Sequence, residues 1–180
     1  FKRYRLTDDG ISPRAIPGQR GGIHTANSNE HSETGHITEV PEIRHAMMNK
    51  RLGKLASFKM KGYEFIGGEE RPVHTLFIGF GSTRSVLEEV IAELKAQGED
   101  VGLAQIKVIH PFQKEGLDQL AEKAERIVVV ENNWTGQLAE LVGKELQVAH
   151  KIEKIRKYDG NPFTKAEILN QYQQLTKEVV

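Results

Sequence analysis

The 180-residue chain contains no cysteine. That excludes disulfides, thiolate nucleophiles, and cysteine-ligated zinc or iron–sulfur centres within this segment. It has no net charge either, because 25 lysines and arginines balance 25 aspartates and glutamates. A nucleic-acid footprint needs a basic face, so nucleic acid is not an expected partner. No apolar run approaches eighteen residues, so no membrane span is expected. No signal peptide is visible, and a cytoplasmic setting is the expectation. The chain opens at Phe1, without methionine, inside the polar phrase Phe1 to Gly10. It reads as a piece of a longer polypeptide.

What is present is organised around Glu125 to Leu141. Ile127 to Val130 is an unbroken β-branched run, which suits a strand covered on both faces. Glu131, Asn132 and Asn133 end it, and Leu138, Leu141, Val142 and Leu146 then lie on one helical stripe. Asn133 or Thr135 can cap that helix by accepting backbone N–H bonds. A buried strand, a tight turn and an amphipathic helix make the half-unit of a parallel α/β sheet.

The plan repeats along the chain, giving four βα units. Strands are expected near 75–80, 103–109, 126–131 and 152–157. Helices are expected near 83–97, 134–147 and 164–178, with a further helical pattern through Leu117, Leu120, Ala121 and Ala124. Gly98 serves as a helix stop, and Thr164 with Glu167 forms a capping box. Upstream, Tyr63 to Ile66 is a short strand closed by Gly67-Gly68. Pro41 suits the first position of a helix because its missing N–H would go unpaired there. Ile43, Met47, Leu52 and Leu55 give that helix an apolar stripe. Lys50, Arg51 and Lys54 suit its negative end.

Residues 1 to about 40 carry many glycines and prolines and no lasting hydrophobic period. Ile11, Ile16, Ile23 and Ile37 are spaced as anchors for a loop lying on another surface. Such packing, rather than local hydrogen bonding, is expected to hold the arm.

Few motifs point to chemistry. Gly79-Phe80-Gly81 ends a strand and opens a helix, but Arg84 stands where a dinucleotide fingerprint needs its last glycine. His110 and Pro111 follow the next strand in place of an acid for a ribose hydroxyl. His24, His31 and His36 alternate with Glu30, Glu33 and Glu39, yet in a glycine-rich loop rather than at rigid ligand spacing. A hydrogen-bonded set is the expectation, and no metal site is assigned. His110 sits near the carboxyl end of a strand, where α/β proteins place ligands. Trp134 is either core or a partner anchor. The helix start after Asn133 can hold an anion on its free N–H groups.

Two N-terminal phrases carry a resemblance. Thr7-Asp8-Asp9-Gly10-Ile11-Ser12-Pro13-Arg14-Ala15-Ile16-Pro17-Gly18 and Asn29-Glu30-His31-Ser32-Glu33-Thr34-Gly35-His36-Ile37-Thr38-Glu39 resemble signatures of the α subunit of 2-oxoacid:ferredoxin oxidoreductases, the 2-oxoglutarate type especially. Gly79 to Thr83, Val128 to Leu138 and Tyr158 to Thr164 match it too. The resemblance implies a three-layer α/β/α sandwich like the C-terminal domain of transketolases, with a mostly parallel five-stranded sheet and one antiparallel edge strand, Tyr63 to Ile66. Residues 1–60 would be an arm and helix closing the preceding pyrimidine-binding domain, and 61–180 the α/β domain.

The family's reaction is oxidative decarboxylation of a 2-oxoacid with coenzyme A, passing electrons to ferredoxin. Thiamine diphosphate, magnesium, an iron–sulfur cluster and coenzyme A are implied for the parent complex and none for this segment, whose catalytic residue set is empty. Implied partners are the β subunit, the rest of the α subunit, and ferredoxin through the complex, arranged as a dimer of heterodimers. Gly81, Ser82, Asn132, Asn133, Thr135 and Gly136 are candidate anion or interface contacts. Arg14, His31 and His36 lie in a loop that approaches either the active site or a subunit seam. The other class left open is an independent α/β ligand-binding or scaffold module.

Overall fold

The computed structural model describes residues 1–177. The chain divides into two compact units, Phe1–Lys59 and Met60–Val180.

In the first unit, helix α1 spans Pro41–Ala56 and begins on proline at its first position. The arm before it is non-repetitive, with one isolated bridge between His31 and Ile37. Its isoleucines do not pack within this chain. Ile11, Ile16 and Ile37 are all exposed and Ile23 is 93% exposed. Polar contacts hold the arm to α1 instead. Arg51 makes a two-pronged pair with the Glu30 carboxylate, at 3.1 and 2.7 Å. The Lys50 ammonium donates to the Tyr4 carbonyl at 2.9 Å and to the Ser12 hydroxyl. Lys50 and Arg51 therefore fasten the arm rather than merely answering the helix end. Arg51 and its hydrogen bonds hold the Glu30 carboxyl below its usual range.

The second unit carries strands β1 (Tyr63–Ile66), β2 (Thr75–Phe80), β3 (Val101–Ile106), β4 (Arg126–Glu131) and β5 (Ile152–Arg156). Helices α2 (Arg84–Ala96), α3 (Leu117–Lys123), α4 (Gln137–Leu146) and α5 (Lys165–Lys177) connect and follow them. The sheet order is β1-β3-β2-β4-β5. Only β1 runs antiparallel, with Tyr63 opposite Ile106, while Thr75 sits parallel to both Val101 and Arg126.

Two cores follow from strict alternation along the strands. Leu76, Ile78, Ile127 and Val129 face α3 and α4 through Leu117, Leu120, Leu138 and Val142. Phe77, Leu103, Val128 and Val130 face α2 and α5 through Leu87, Val90, Ile168 and Tyr172. Burying each such side chain contributes about 1.5–3 kcal/mol. The continuous apolar run in β4 thus reports cover on both faces, and the architecture is the expected three-layer sandwich.

Element ends differ from expectation where local hydrogen bonds intervene. Strand β3 lies two to three residues earlier than 103–109. It is paired from Val101 by β2, and the N–H groups of Lys107 and Val108 both turn to the Gly62 carbonyl. His110 is consequently four residues beyond the strand end, and exposed. Helix α5 starts after Thr164, whose N–H and hydroxyl both donate to the Glu167 carboxylate while its Oγ1 accepts the Glu167 N–H. Lys157 adds an ion pair of 2.6 Å, and these partners, Lys157 first, draw the Glu167 carboxyl down to about 2. The helix is described as Lys165–Lys177, and position 178 of the expected 164–178 lies outside the described residues.

Candidate functional site

Strands β2 and β4 are neighbours, yet β2 is followed by β3 on one side of it and β4 by β5 on the other. The connections therefore diverge between β2 and β4, and their carboxyl ends leave a crevice at that switch point, the usual ligand position in open α/β sheets. A cleft of about 410 Å³ opens there, lined by Phe80, Gly81, Ser82, Asn132, Asn133 and Leu138 among others.

The strand–turn–helix from β4 to α4 builds one wall. Glu131, the last residue of β4, is only 6% exposed. Its carboxylate accepts the N–H groups of Leu138 at 2.8 Å and Ala139 at 3.0 Å, and the side-chain amide of Asn133. The Asn133 Oδ1 accepts from the N–H groups of Gly136 at 2.6 Å and Gln137 at 3.2 Å. All four N–H groups of the helix start are thereby satisfied from inside the protein. A negative group already sits where the helix dipole favours one. An external anion here would meet the Glu131 carboxylate.

Gly136 explains why α4 begins three residues after the expected 134. Its φ of +85° is left-handed, and a Cβ there would fall 2.9 Å from the Lys154 side chain. Asn133 caps, whereas Thr135 is exposed and offers only its carbonyl, to Lys154 at 3.4 Å.

The opposite wall is the single 3-10 turn Gly81–Thr83. The buried Thr83 hydroxyl donates to the Phe80 carbonyl at 3.1 Å and accepts the Phe80 N–H at 3.2 Å. Gly79 is required for packing: a Cβ there would lie 2.5 Å from Leu87 Cδ1 and 2.8 Å from Thr83 Oγ1. Gly81 has a left-handed φ of +63°, which favours glycine, so neither glycine of the Gly79-Phe80-Gly81 pair needs a nucleotide to explain it. The Ser82 hydroxyl is exposed at the rim.

Beside the cleft the carboxyl edge is aromatic. Trp134 is 65% and Tyr158 61% exposed, and their rings meet edge to face at 4.5 Å. Arg156 pins this pair by donating to the Trp134 carbonyl, and Phe80 is exposed on the same edge. Trp134 is therefore not core.

Of the residues singled out by sequence, Gly81, Ser82, Asn132 and Asn133 come together in this cleft, while Thr135 and Gly136 do not line it. Arg14 and His31 line a separate pocket in the first unit, and His36 does not. The loop histidines are occupied: His31 Nδ1 lies 2.8 Å from the Asn29 carbonyl and its ring 4.1 Å from that of Tyr4. His36 Nδ1 contacts the Thr34 hydroxyl at 3.0 Å, and His24 Nδ1 the Gly22 carbonyl at 2.8 Å. Glu33 pairs with Lys2 at 3.0 Å. Glu131 was not among the sequence candidates. Its signal is an acid ending a fully apolar strand a few residues before an amphipathic helix.

A family model described as pyruvate:ferredoxin oxidoreductase core domain II matches residues 74–168, more than half of the chain. The chain belongs to that family. The α subunit of 2-oxoacid:ferredoxin oxidoreductase 2 from Aeropyrum pernix is 31% identical over 175 residues, covering 93% of this chain and 26% of the relative. The chain thus spans about a quarter of the length of such relatives. Among solved structures, 2-oxoglutarate:ferredoxin oxidoreductase from Magnetococcus marinus, with 2-oxoglutarate, coenzyme A and succinyl-CoA bound, superposes with a TM-score of 0.72. It is 31% identical and covers 97% of this core domain II chain and 30% of its own. A split-gene transketolase, an inactive β4 tetramer, superposes with a TM-score of 0.53 at 16% identity over 65% of this chain and 42% of its own, a likeness of fold alone. Among the described residues, no helix is long and apolar enough to cross a membrane.

Proposed function

We propose that this chain is the C-terminal part of the α subunit of a thiamine-diphosphate-dependent 2-oxoacid:ferredoxin oxidoreductase, and that its main task is subunit assembly. The parent reaction is oxidative decarboxylation of a 2-oxoacid to an acyl-CoA. Thiamine diphosphate, magnesium, an iron–sulfur cluster and coenzyme A serve the parent complex, and a cytoplasmic dimer of heterodimers with the β subunit is its proposed form. Ferredoxin meets the complex, not this segment. Phe1–Lys59 is read as the tail of the preceding pyrimidine-binding domain.

One observation carries the assembly reading. At the switch-point cleft the N–H groups of the α4 start are taken up by Glu131 and Asn133, while Trp134 and Tyr158 stand exposed beside it. Exposed, pre-packed aromatics are what interface anchors look like, since they bury a large area with few rotamers to lose. Family membership weighs against an independent binding module.

Coexpression with the parent's β subunit tests this. Replacing both residues, Trp134→Ala with Tyr158→Ala, should leave the melting temperature nearly unchanged and weaken co-purification at least about tenfold, roughly 1.4 kcal/mol. Undiminished assembly of the double variant would remove the edge from the interface.

A further inference from the structure

The cleft between β2 and β4 is lined by a carboxylate that has no counter-cation. Glu131 is only 6% exposed, and a buried charge is costly unless an opposite charge stands beside it. Its three donors, the Leu138 and Ala139 N–H groups and the Asn133 amide, are all neutral. Among the described residues no lysine, arginine or histidine lies within ion-pair distance of it. The cations of β5 and its exit turn elsewhere. Arg156, opposite Glu131 in the strand register, donates to the Trp134 carbonyl. Lys154 faces the Thr135 carbonyl and Glu140, and Lys157 pairs with Glu167. The dipole of α4 supplies only part of a positive charge.

The rest of the lining indicates which cation would fit. A carboxylate offers about four acceptor positions, and three on Glu131 are filled. Phe80 is exposed, and Ile109 and Leu141 are half-buried, so the walls are apolar where the cleft is open. Such walls suit the methylene stem of a long cationic side chain. At the mouth Asn132 donates to the Asn161 carbonyl at 3.5 Å. Its Oδ1 and the Ser82 hydroxyl have no partner among the described residues. An ammonium has three donors on one atom, whereas a guanidinium spreads five over a plane whose face stacks on aromatic rings. Acceptors dispersed over Glu131, Asn132 and Ser82 beside Phe80 therefore favour the guanidinium.

We propose that this cleft receives an arginine side chain of the β subunit, its guanidinium donating to the open position of Glu131 and its stem lying along Ile109 and Leu141. The proposal rests on the assembly reading of the neighbouring edge and names the group that the partner brings to it.

Two measurements test it. The first uses this chain alone, labelled with nitrogen-15 and titrated with N-acetyl-arginine amide while the Leu138 and Ala139 amide resonances are followed. Both should shift saturably. N-acetyl-citrulline amide, the neutral isostere, should bind at least about tenfold more weakly, because the charge-assisted bond is lost. Asn132→Lys places a competing ammonium at the exposed mouth without touching the core, and should weaken the arginine derivative about tenfold as well. Asn170→Lys, the same charge change on the exposed face of α5, should leave it unchanged. No shift, equal binding of the citrulline derivative, or an equal effect of Asn170→Lys would each overturn the proposal.

The second measurement is coexpression with the β subunit, where Asn132→Lys should lower co-purification about tenfold and Asn170→Lys should not. Undiminished assembly of Asn132→Lys, with assembly lost in the Trp134→Ala, Tyr158→Ala double variant, would leave the edge as an interface and overturn the arginine. The titration of the isolated chain reads the cleft whatever the double variant does, so failure of the one reading is distinguishable from failure of the other.

Discussion

Replacing Glu131 with alanine should cost about 3 kcal/mol or more of unfolding free energy, measured by urea denaturation followed by far-UV circular dichroism. The effect is large because one side chain, only 6% exposed, satisfies three donors. Two are backbone N–H groups at buried residues, Leu138 and Ala139, and each buried donor left without an acceptor costs about 1–3 kcal/mol. The third, the Asn133 amide, positions the cap that receives Gly136 and Gln137. Glu131→Gln keeps one acceptor but presents an amide to N–H donors, so it should fall between alanine and wild type. Asn133→Ala, which removes only the cap, should cost about 1 kcal/mol. A Glu131→Ala loss no greater than that of Asn133→Ala would mean the carboxylate is not what organises the start of α4.

Gly35→Ala should release the N-terminal arm. Gly35 is buried at φ +87°, and a Cβ there would lie 2.0 Å from the Thr25 carbonyl oxygen and 3.2 Å from the Tyr4 ring. Neither neighbour yields cheaply, because one is backbone and the other is stacked on His31. Backbone strain of about 1–3 kcal/mol adds to overpacking of similar size. Limited proteolysis tracks the open population when reclosing is fast. Cleavage within residues 1–40 should therefore rise at least tenfold, about 1.4 kcal/mol or more, while the unfolding midpoint of the α/β unit stays put. Equal cleavage rates would show that the arm tolerates a side chain there.

The same glycine marks the limit of what the amino-acid order reveals. The α/β sandwich was legible because burial on both faces of β4 and one-faced stripes on the helices leave period-specific patterns. The caps at Asn133 and Thr164 were legible for a similar reason, since a local hydrogen bond needs a particular residue at a particular offset. The arm was not. Its isoleucines are exposed in this chain, and what holds it to α1 is polar and long-range, from Glu30 to Arg51 and from Lys50 to Tyr4 and Ser12. Pairings across twenty-one to forty-six positions leave no periodic trace.

Gly10 and Gly35 give the N-terminal phrases a folding reason they lacked in one dimension. A Cβ on Gly10, at φ +72°, would fall 2.7 Å from the Lys50 carbonyl oxygen. The resemblance rested partly on these residues, and their first duty is to let the arm lie against α1. At the cleft, Gly81, Ser82, Asn132 and Asn133 were found as loop residues at strand ends. Glu131 was read only as the end of a strand, because nothing in the sequence says its side chain folds back under the next helix.

The assembly account is tested most directly by the chain's single tryptophan, Trp134. Incorporating 5-fluorotryptophan into this chain alone gives one fluorine resonance, free of any signal from a partner. On titration with the parent's β subunit the account predicts a new resonance at a shifted position, broadened by the larger complex and losing the solvent isotope shift of an exposed indole. A resonance that keeps its free position and full solvent isotope shift in the assembled complex would contradict it.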